Sequence, residues 1–104
     1  MKMKIALFCS GGMSTSLVGS KMKKAYEAMG KTNVDVDAYD FAMIDEVGNE
    51  VDVIIIAPQI SWAFEQVKAA HPDKKIISLT MAEFGAMDGV SIINRLNDEG
   101  VIPE

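Results

Sequence analysis

The 104-residue sequence has one cysteine, one histidine, one tryptophan and three prolines. A lone cysteine, Cys9, rules out an internal disulfide and is expected to stay a reduced thiol in a cytoplasmic setting. The only histidine, His71, has no cysteine or second histidine at ligand spacing, so neither a metal site nor a cofactor is expected. Long apolar runs are also missing. The amino-terminal MKMKIALFCSGG places basic residues before apolar ones. Its run from Ile5 to Phe8 falls short of the roughly 7–15 residues of a signal-peptide core. Nothing approaches the roughly 20 apolar residues of a membrane span. Cations are in the minority: ten Lys and Arg face fifteen Asp and Glu, a formal charge of −5. Sequence-independent nucleic-acid binding is therefore not expected. Repeats, low-complexity segments and linkers are absent. An apolar content of 49% and a charged content of 24% describe one soluble globular domain over residues 1–104. Only the tail from Asp98 to Glu104 is expected to fray.

What is present alternates between strand and helix patterns. Met3–Phe8 (MKIALF) is a short apolar run closed by turn-prone residues, the pattern of a buried strand. A helix is predicted over Met13–Met29, with Val18, Met22, Ala25 and Met29 on its apolar stripe and Gly30 just past its end. Asn33–Tyr39 sets Val34, Val36 and Ala38 on one face and Asp35 and Asp37 on the other, which suits an edge strand. Phe41–Gly48 reads as a short helix or an irregular crossover. Val51–Ala57 (VDVIIIA) is almost continuously β-branched, as in a strand covered on both faces. A second helical stripe follows Pro58 through Ile60, Ala63, Phe64, Val67 and Ala70 and stops before Pro72. Lys75–Leu79 is a fourth strand, and Asp88 caps a last helix that turns Val90, Ile93 and Leu96 inward.

This order predicts an α/β fold: a three-layer sandwich whose four-stranded parallel sheet, of order 2-1-3-4, carries helices on both faces. In such sheets the ligand site lies at the carboxyl ends of the strands, where the chain reverses direction across the sheet. Here that point falls between the first and third strands. The loop from Cys9 to Met13 and the loop from Pro58 to Ile60 should meet there.

The segment Phe8–Ser16, FCSGGMSTS, thus arrives at the crevice with a particular chemistry. A helix start offers unpaired backbone N–H groups and the positive end of the helix dipole. Gly11 and Gly12 let successive N–H groups face one centre, and Ser10, Ser14, Thr15 and Ser16 add hydroxyl donors. A phosphate-sized dianion suits that cradle. The same field favours a nucleophilic thiolate at Cys9, able to carry a phosphoryl group as a thiophosphate. A buried, inert cysteine is the plainer interpretation of Cys9 alone; the glycines, the hydroxyls and the switch-point position argue against it. The low-molecular-mass tyrosine phosphatases and related arsenate reductases use a loop of Cys, five residues, Arg, then Ser or Thr. Six positions after Cys9 this chain has Thr15, and no Asp-Pro pair supplies a general acid. Without a guanidinium the transition state for hydrolysis loses its main charge clamp. A carrier is favoured over a hydrolase.

With CSGGMSTS, then Ala57-Pro58-Gln59-Ile60, then Met87-Asp88-Gly89, the sequence resembles the IIB subunits of the lactose/cellobiose class of the bacterial sugar phosphotransferase system. The likeness runs over roughly residues 3–97. It implies that Cys9 accepts a phosphoryl group from a phosphohistidine on a IIA protein. The group would then pass to a disaccharide of the cellobiose, chitobiose or lactose class held by the membrane-embedded IIC permease. The family's phosphate loop falls on Ser10, Gly11, Gly12, Met13, Ser14, Thr15 and Ser16, and its neighbouring loop on Pro58 and Gln59. Phe84 departs from the family pattern, in which tyrosine commonly precedes the glycine.

Other residues carry weaker signals. His71, before Pro72 at a helix end, is expected on the surface. Asp35, Asp37, Asp40, Asp45 and Glu46 read as a solvated acidic face, and Lys21, Lys23 and Lys24 as a solubility cluster or a dock for an acidic partner. Phe64 fits the core stripe, whereas Trp62 falls off it, near the rim of the crevice, where a partner contact is an open reading.

Overall fold

The computed structural model describes residues 3–9, 13–86 and 88–100. Strand β1 spans Met3–Cys9, helix α1 Met13–Ala28 and strand β2 Val34–Asp40. A turn of 3-10 helix at Phe41–Met43 leads into α2, Ile44–Val47. Strand β3 is Val53–Ile56, followed by a 3-10 segment at Pro58–Ala63 and helix α3 at Phe64–Ala70. Strand β4 (Lys75–Ser78), α4 (Met81–Ala86) and α5 (Gly89–Asp98) complete the order. All three strand pairings are parallel, and the sheet order is β2-β1-β3-β4, as the alternation predicts.

The sheet divides the core in two because successive strand side chains point to opposite faces. Ile5, Leu7 and Cys9 of β1 and Val53 and Ile55 of β3 join Val18, Met22 and Tyr26 of α1 and Ile92, Ile93 and Leu96 of α5. Ala6, Phe8, Ile54 and Ile56 face the other way, onto Val47, Ile60, Ala63 and Val67. Strand β2 pairs on one side only, and its outward-facing Asp37 is exposed.

Several inward assignments need correction. Helix α1 ends at Ala28, one residue before Met29, and Met29 is exposed. Tyr26 takes the inner position instead. The chain leaves α1 through Gly30 at φ 79°, while the Lys31 N–H reaches back to the Tyr26 carbonyl at 2.9 Å. Val90 is 47% exposed; Ile92 joins Ile93 and Leu96 in the core. Phe64 is half-buried, with the Lys68 ammonium 5.8 Å from its ring centroid, and Ala70 is exposed. Helix α4 has no counterpart in the sequence reading. It starts on a capping box in which the Thr80 N–H donates to Glu83 Oε1 and the Glu83 N–H donates to Thr80 Oγ1. Phe84, buried against the α1 side of the sheet, occupies its inner position without a hydroxyl to satisfy.

His71 is the clearest reversal, since it is only 5% exposed. Its N–H closes α3 on the Val67 carbonyl at 2.8 Å, and its own carbonyl accepts from the Lys74 N–H at 3.1 Å. The imidazole packs against Gly48, where a Cβ would stand 3.0 Å from ring atoms Cε1 and Nε2. A glycine at that point makes room for the ring, which no local pattern around His71 shows. The residue lies just before β4 begins, at the end of the sheet opposite Cys9.

Tyr26 is 1% exposed, and its hydroxyl has no hydrogen-bond partner among the described residues. Burial pushes its phenol up to about 12 from 10.0. The unfolded chain releases this proton near pH 10 and the folded chain holds it to about 12. The associated stability is therefore full below pH 10 and is lost as pH rises through 12, about 3 kcal/mol in all. Urea unfolding of Tyr26→Phe should show a gain of about 1 kcal/mol at neutral pH, from removal of an unpaired buried hydroxyl. It should also show a flatter alkaline decline. A clear loss at neutral pH would mean that the hydroxyl has a partner in solution.

Candidate functional site

Cys9 is the last residue of β1 and is 5% exposed. The register places Asp40, the last residue of β2, beside it. On the other side the Ala57 N–H donates to the Phe8 carbonyl at 3.0 Å, so pairing with the β3 side runs to the end of β1. Pro58 then starts the 3-10 segment at once, its ring fixing the φ that such a turn needs. This abrupt turn sets Gln59 against the thiol: Cys9 Sγ–H donates to Gln59 Oε1 at 3.9 Å. The predicted meeting of the two loops is thus made by a side-chain contact across fifty residues of sequence.

Helix α1 begins at Met13, four residues after Cys9, so its amino end lies toward the carboxyl ends of the strands. It is 16 residues long and has no acidic side chain in its first turn, so nothing there offsets the positive end of its dipole. Of the predicted loop residues, Ser10, Gly11 and Gly12 lie outside the described residues, as does Met87. Met13, Ser14, Thr15 and Ser16 form the first turn of α1. Ser16 is exposed on that turn.

The chain's only arginine, Arg95, is committed elsewhere. Its Nη1 meets Glu83 Oε1 at 2.6 Å, its Nε meets Glu99 Oε1 at 3.2 Å, and Nη2 donates to the Ser78 carbonyl at 3.3 Å. This ties α5 to α4 and to the end of β4, an edge strand separated from β1 by β3. Burial raises the Glu83 carboxyl, but the Thr80 N–H and the Arg95 guanidinium more than offset this, holding it below its ordinary value. Asp88 caps α5, accepting from Ser91 Oγ at 3.0 Å and from the Val90 N–H at 3.1 Å. Those bonds, Ser91 first, hold its carboxyl below the usual range. No group of three or more His, Cys, Asp or Glu among the described residues is placed to hold a metal. Among them, no helix is long and apolar enough to cross a membrane.

Sequence reasoning placed Cys9, Pro58 and Gln59 together and they are together. It gave Phe41 no part at this end of the sheet. Phe41 follows Asp40 directly, and its ring meets Trp62 edge-on, with centroids 5.7 Å apart and planes at 74°. Its position one residue beyond an edge strand was the available signal.

Fold and site together define an α/β domain with one thiol at the switch point of a parallel sheet, ahead of a helix amino terminus. Comparison with known proteins narrows the class. Residues 4–95 match the family described as PTS system, Lactose/Cellobiose specific IIB subunit. The galactose-specific EIIB component of Lactococcus lactis subsp. cremoris is 33% identical, with 86% of this chain and 88% of the relative covered. The oligo-beta-mannoside-specific EIIB component of Bacillus subtilis is 31% identical over 83% of this chain and 84% of its own. Among solved structures, the lactose-specific IIB domain of Streptococcus pneumoniae superposes with a TM-score of 0.79 at 16% identity. It covers 94% of this chain and 97% of that one, a likeness of fold. The cellobiose-specific IIB protein of Borrelia burgdorferi gives 0.73 at 25% identity, over 90% and 87% of the two chains. The chain belongs to the lactose/cellobiose-specific IIB family of the phosphotransferase system. It is a sugar-transport component with a phosphotransferase role, and such components work with IIA and IIC partners.

Proposed function

We propose that Cys9 is the phosphoryl carrier of a cytoplasmic IIB subunit. Its thiol attacks the phosphorus of a phosphohistidine on IIA; the S–P bond forms as the N–P bond breaks, and the thiol proton ends on the departing imidazole. In the second step a hydroxyl of a disaccharide held by the IIC permease attacks the same phosphorus. An O–P bond replaces S–P, and the hydroxyl proton returns to sulfur. The backbone amides and hydroxyls from Ser10 to Ser16 are the cradle for the phosphoryl oxygens, at the unopposed positive end of α1. The observation that carries this reading is the Cys9–Gln59 contact at the carboxyl edge of the sheet. It sets the thiol beside a polar group at the switch point instead of leaving it wholly within apolar core.

Gln59 has two parts to play. Its Oε1 accepts from the free thiol, and a turn of the amide brings its Nε2–H to a phosphoryl oxygen after transfer. Gln59→Glu keeps the acceptor, loses the donor and adds a negative charge beside a dianion. Rapid-quench transfer from labelled phospho-IIA should slow about tenfold in this variant, as for the loss of one charge-assisted hydrogen bond. Gln59→Asn, which keeps the amide, should lose less. Equal rates for Gln59→Glu and the parent would remove Gln59 from the site.

The sugar is a disaccharide of the cellobiose, chitobiose or lactose class. A galactose-specific and a cellobiose-specific relative from Lactococcus lactis are both 33% identical to this chain. That supports selection of the sugar by IIC instead of by the carrier. A phosphatase or arsenate reductase is disfavoured because Arg95, the only guanidinium, is bound to Glu83 and Glu99. The separating experiment is hydrolysis of an aryl phosphate by the isolated protein. No turnover above blank is expected, and appreciable turnover without partners would contradict the carrier role.

A further inference from the structure

The carboxyl end of the sheet carries an aromatic pair in which Phe41 packs against the apolar cluster while Trp62 stands outside it. Phe41 stands one residue past Asp40, the register partner of Cys9. Trp62 stands three residues past Gln59, which receives the Cys9 thiol. Although its ring meets Phe41, Trp62 remains 68% exposed, and Met43 nearby is exposed as well. Trp62 takes no part in the apolar cluster formed by its neighbours Ile60 and Ala63. An indole left in water beside a reacting centre is the kind of anchor around which binding energy concentrates.

The charge around this pair identifies what it faces. Residues 40–71 build the layer on that side of the sheet and contain six carboxylates against one lysine. All six are exposed; Asp40, Asp45, Glu46 and Glu65 are close to Phe41 or Trp62 in the chain, whereas Asp52, whose Oδ2 accepts from the Lys4 N–H, lies at the other end of the sheet. Residues 13–31, on the opposite face, hold four lysines and one glutamate. Helices α4 and α5 share that face and bring Glu83, Asp88, Asp98 and Glu99 against Arg95, so the α1 layer as a whole is close to neutral while the layer of residues 40–71 is acidic. A second copy of this chain presenting the same face would meet like charge, which argues against self-association there. A membrane partner meets different conditions. The cytoplasmic loops of membrane proteins are rich in Lys and Arg, and the leaflet around them is anionic. A chain of charge −5 is repelled by that leaflet. It can settle only where cationic loops offset the repulsion.

We infer that the Phe41–Trp62 pair, with its acidic surround, is the docking surface for the cationic cytoplasmic loops of the IIC permease. The inference rests on the phosphoryl-carrier reading above. It gives the acidic face the acceptor step, the one in which the phosphoryl group leaves Cys9 at the membrane.

The test uses Trp62→Ala and the charge-reversed pair Asp45→Lys/Glu46→Lys, all at exposed positions that leave Cys9 and Gln59 in place. One assay follows the rate of phosphoryl acceptance from phospho-IIA. The other follows sugar phosphorylation by proteoliposomes containing the IIC subunit of the same transport system, as a function of carrier concentration. Trp62→Ala should raise the apparent KM for the carrier at the IIC step by about tenfold or more, as for a truncated interface anchor. Acceptance from IIA should stay within about twofold of the parent in both variants. The charge-reversed pair should also weaken the dependence of the IIC step on ionic strength. A loss confined to the IIA step would assign this face to the donor and overturn the inference, as would an unchanged KM at the IIC step in both variants. Failure of the parent protein to take up a phosphoryl group at Cys9 is a separate result, which overturns the carrier reading itself.

Discussion

Serine at position 9 is expected to reduce sugar phosphorylation by roughly four orders of magnitude or more, while the fold is kept. Cys9 is almost wholly buried at the end of β1, and serine differs from it by one atom, so the strand and its pairing should survive. The chemistry does not. A hydroxyl yields far less of the nucleophilic anion at neutral pH than a thiol does. Any phosphoserine that formed would be an ordinary phosphate ester, slow to give up its phosphorus. Circular dichroism should show an unchanged far-ultraviolet spectrum beside the lost activity. Retention of even a tenth of the parent rate would require a second carrier residue. His71, buried at the opposite end of the sheet, is poorly placed to be that residue.

Gly89→Ala is expected to be the most damaging small substitution for stability. A Cβ on Gly89 would lie 2.5 Å from the Lys21 carbonyl oxygen, 2.6 Å from its carbon and 2.8 Å from the Met22 nitrogen. These are backbone atoms in the middle of α1 and cannot swing aside as a side chain would. Helix α5 would have to lift, separating Ile92, Ile93 and Leu96 from Met22 and Tyr26 in the shared core. A cost of about 3 kcal/mol is expected from overpacking of this kind. Gly85→Ala is the matched control. No atom of the described residues lies within 4 Å of its added methyl, and helix α4 should gain about 0.5–1 kcal/mol. Chemical denaturation of the two variants reads both signs. Equal, near-neutral effects would show that α5 does not press on α1 as described.

Gly89 also gives physical content to a motif read at first only as a likeness. In Met87-Asp88-Gly89, Asp88 caps α5 through the Val90 N–H, and the glycine lets that helix reach the backbone of the helix that follows the cysteine loop. Strand order, the edge position of β2 and the meeting of Cys9 with Gln59 were readable because they follow from periodicity and topology. Ile54, Ile55 and Ile56 announce a strand covered on both faces, and the alternating aspartates of β2 announce one that is not.

The misses differ in cause, and the burial of His71 is the one that depends on a partner distant in sequence. His71 is buried because Gly48, 23 residues earlier, leaves room for a ring. Tyr26 displaces Met29 because α1 stops at Ala28 and turns away through Gly30. Helix α4 could have been found, since Thr80-Met81-Ala82-Glu83 before Phe84 is a capping box followed by an apolar residue. The acidic character of residues 40–71 was present in the sequence too. It became legible as a surface only when the sheet gathered those residues on one of its faces.

The central claim is that this thiol, and no other group, carries the phosphoryl transfer. Intact-mass analysis of the parent protein after incubation with phosphoenolpyruvate, the general phosphotransferase proteins and IIA tests it most directly, with peptide mapping to locate the label. One phosphoryl group is expected, on Cys9, acquired only with IIA present and removed when the IIC permease and its sugar are added. Label on His71 or on a hydroxyl of Ser10, Ser14, Thr15 or Ser16, or label acquired without IIA, would contradict the account.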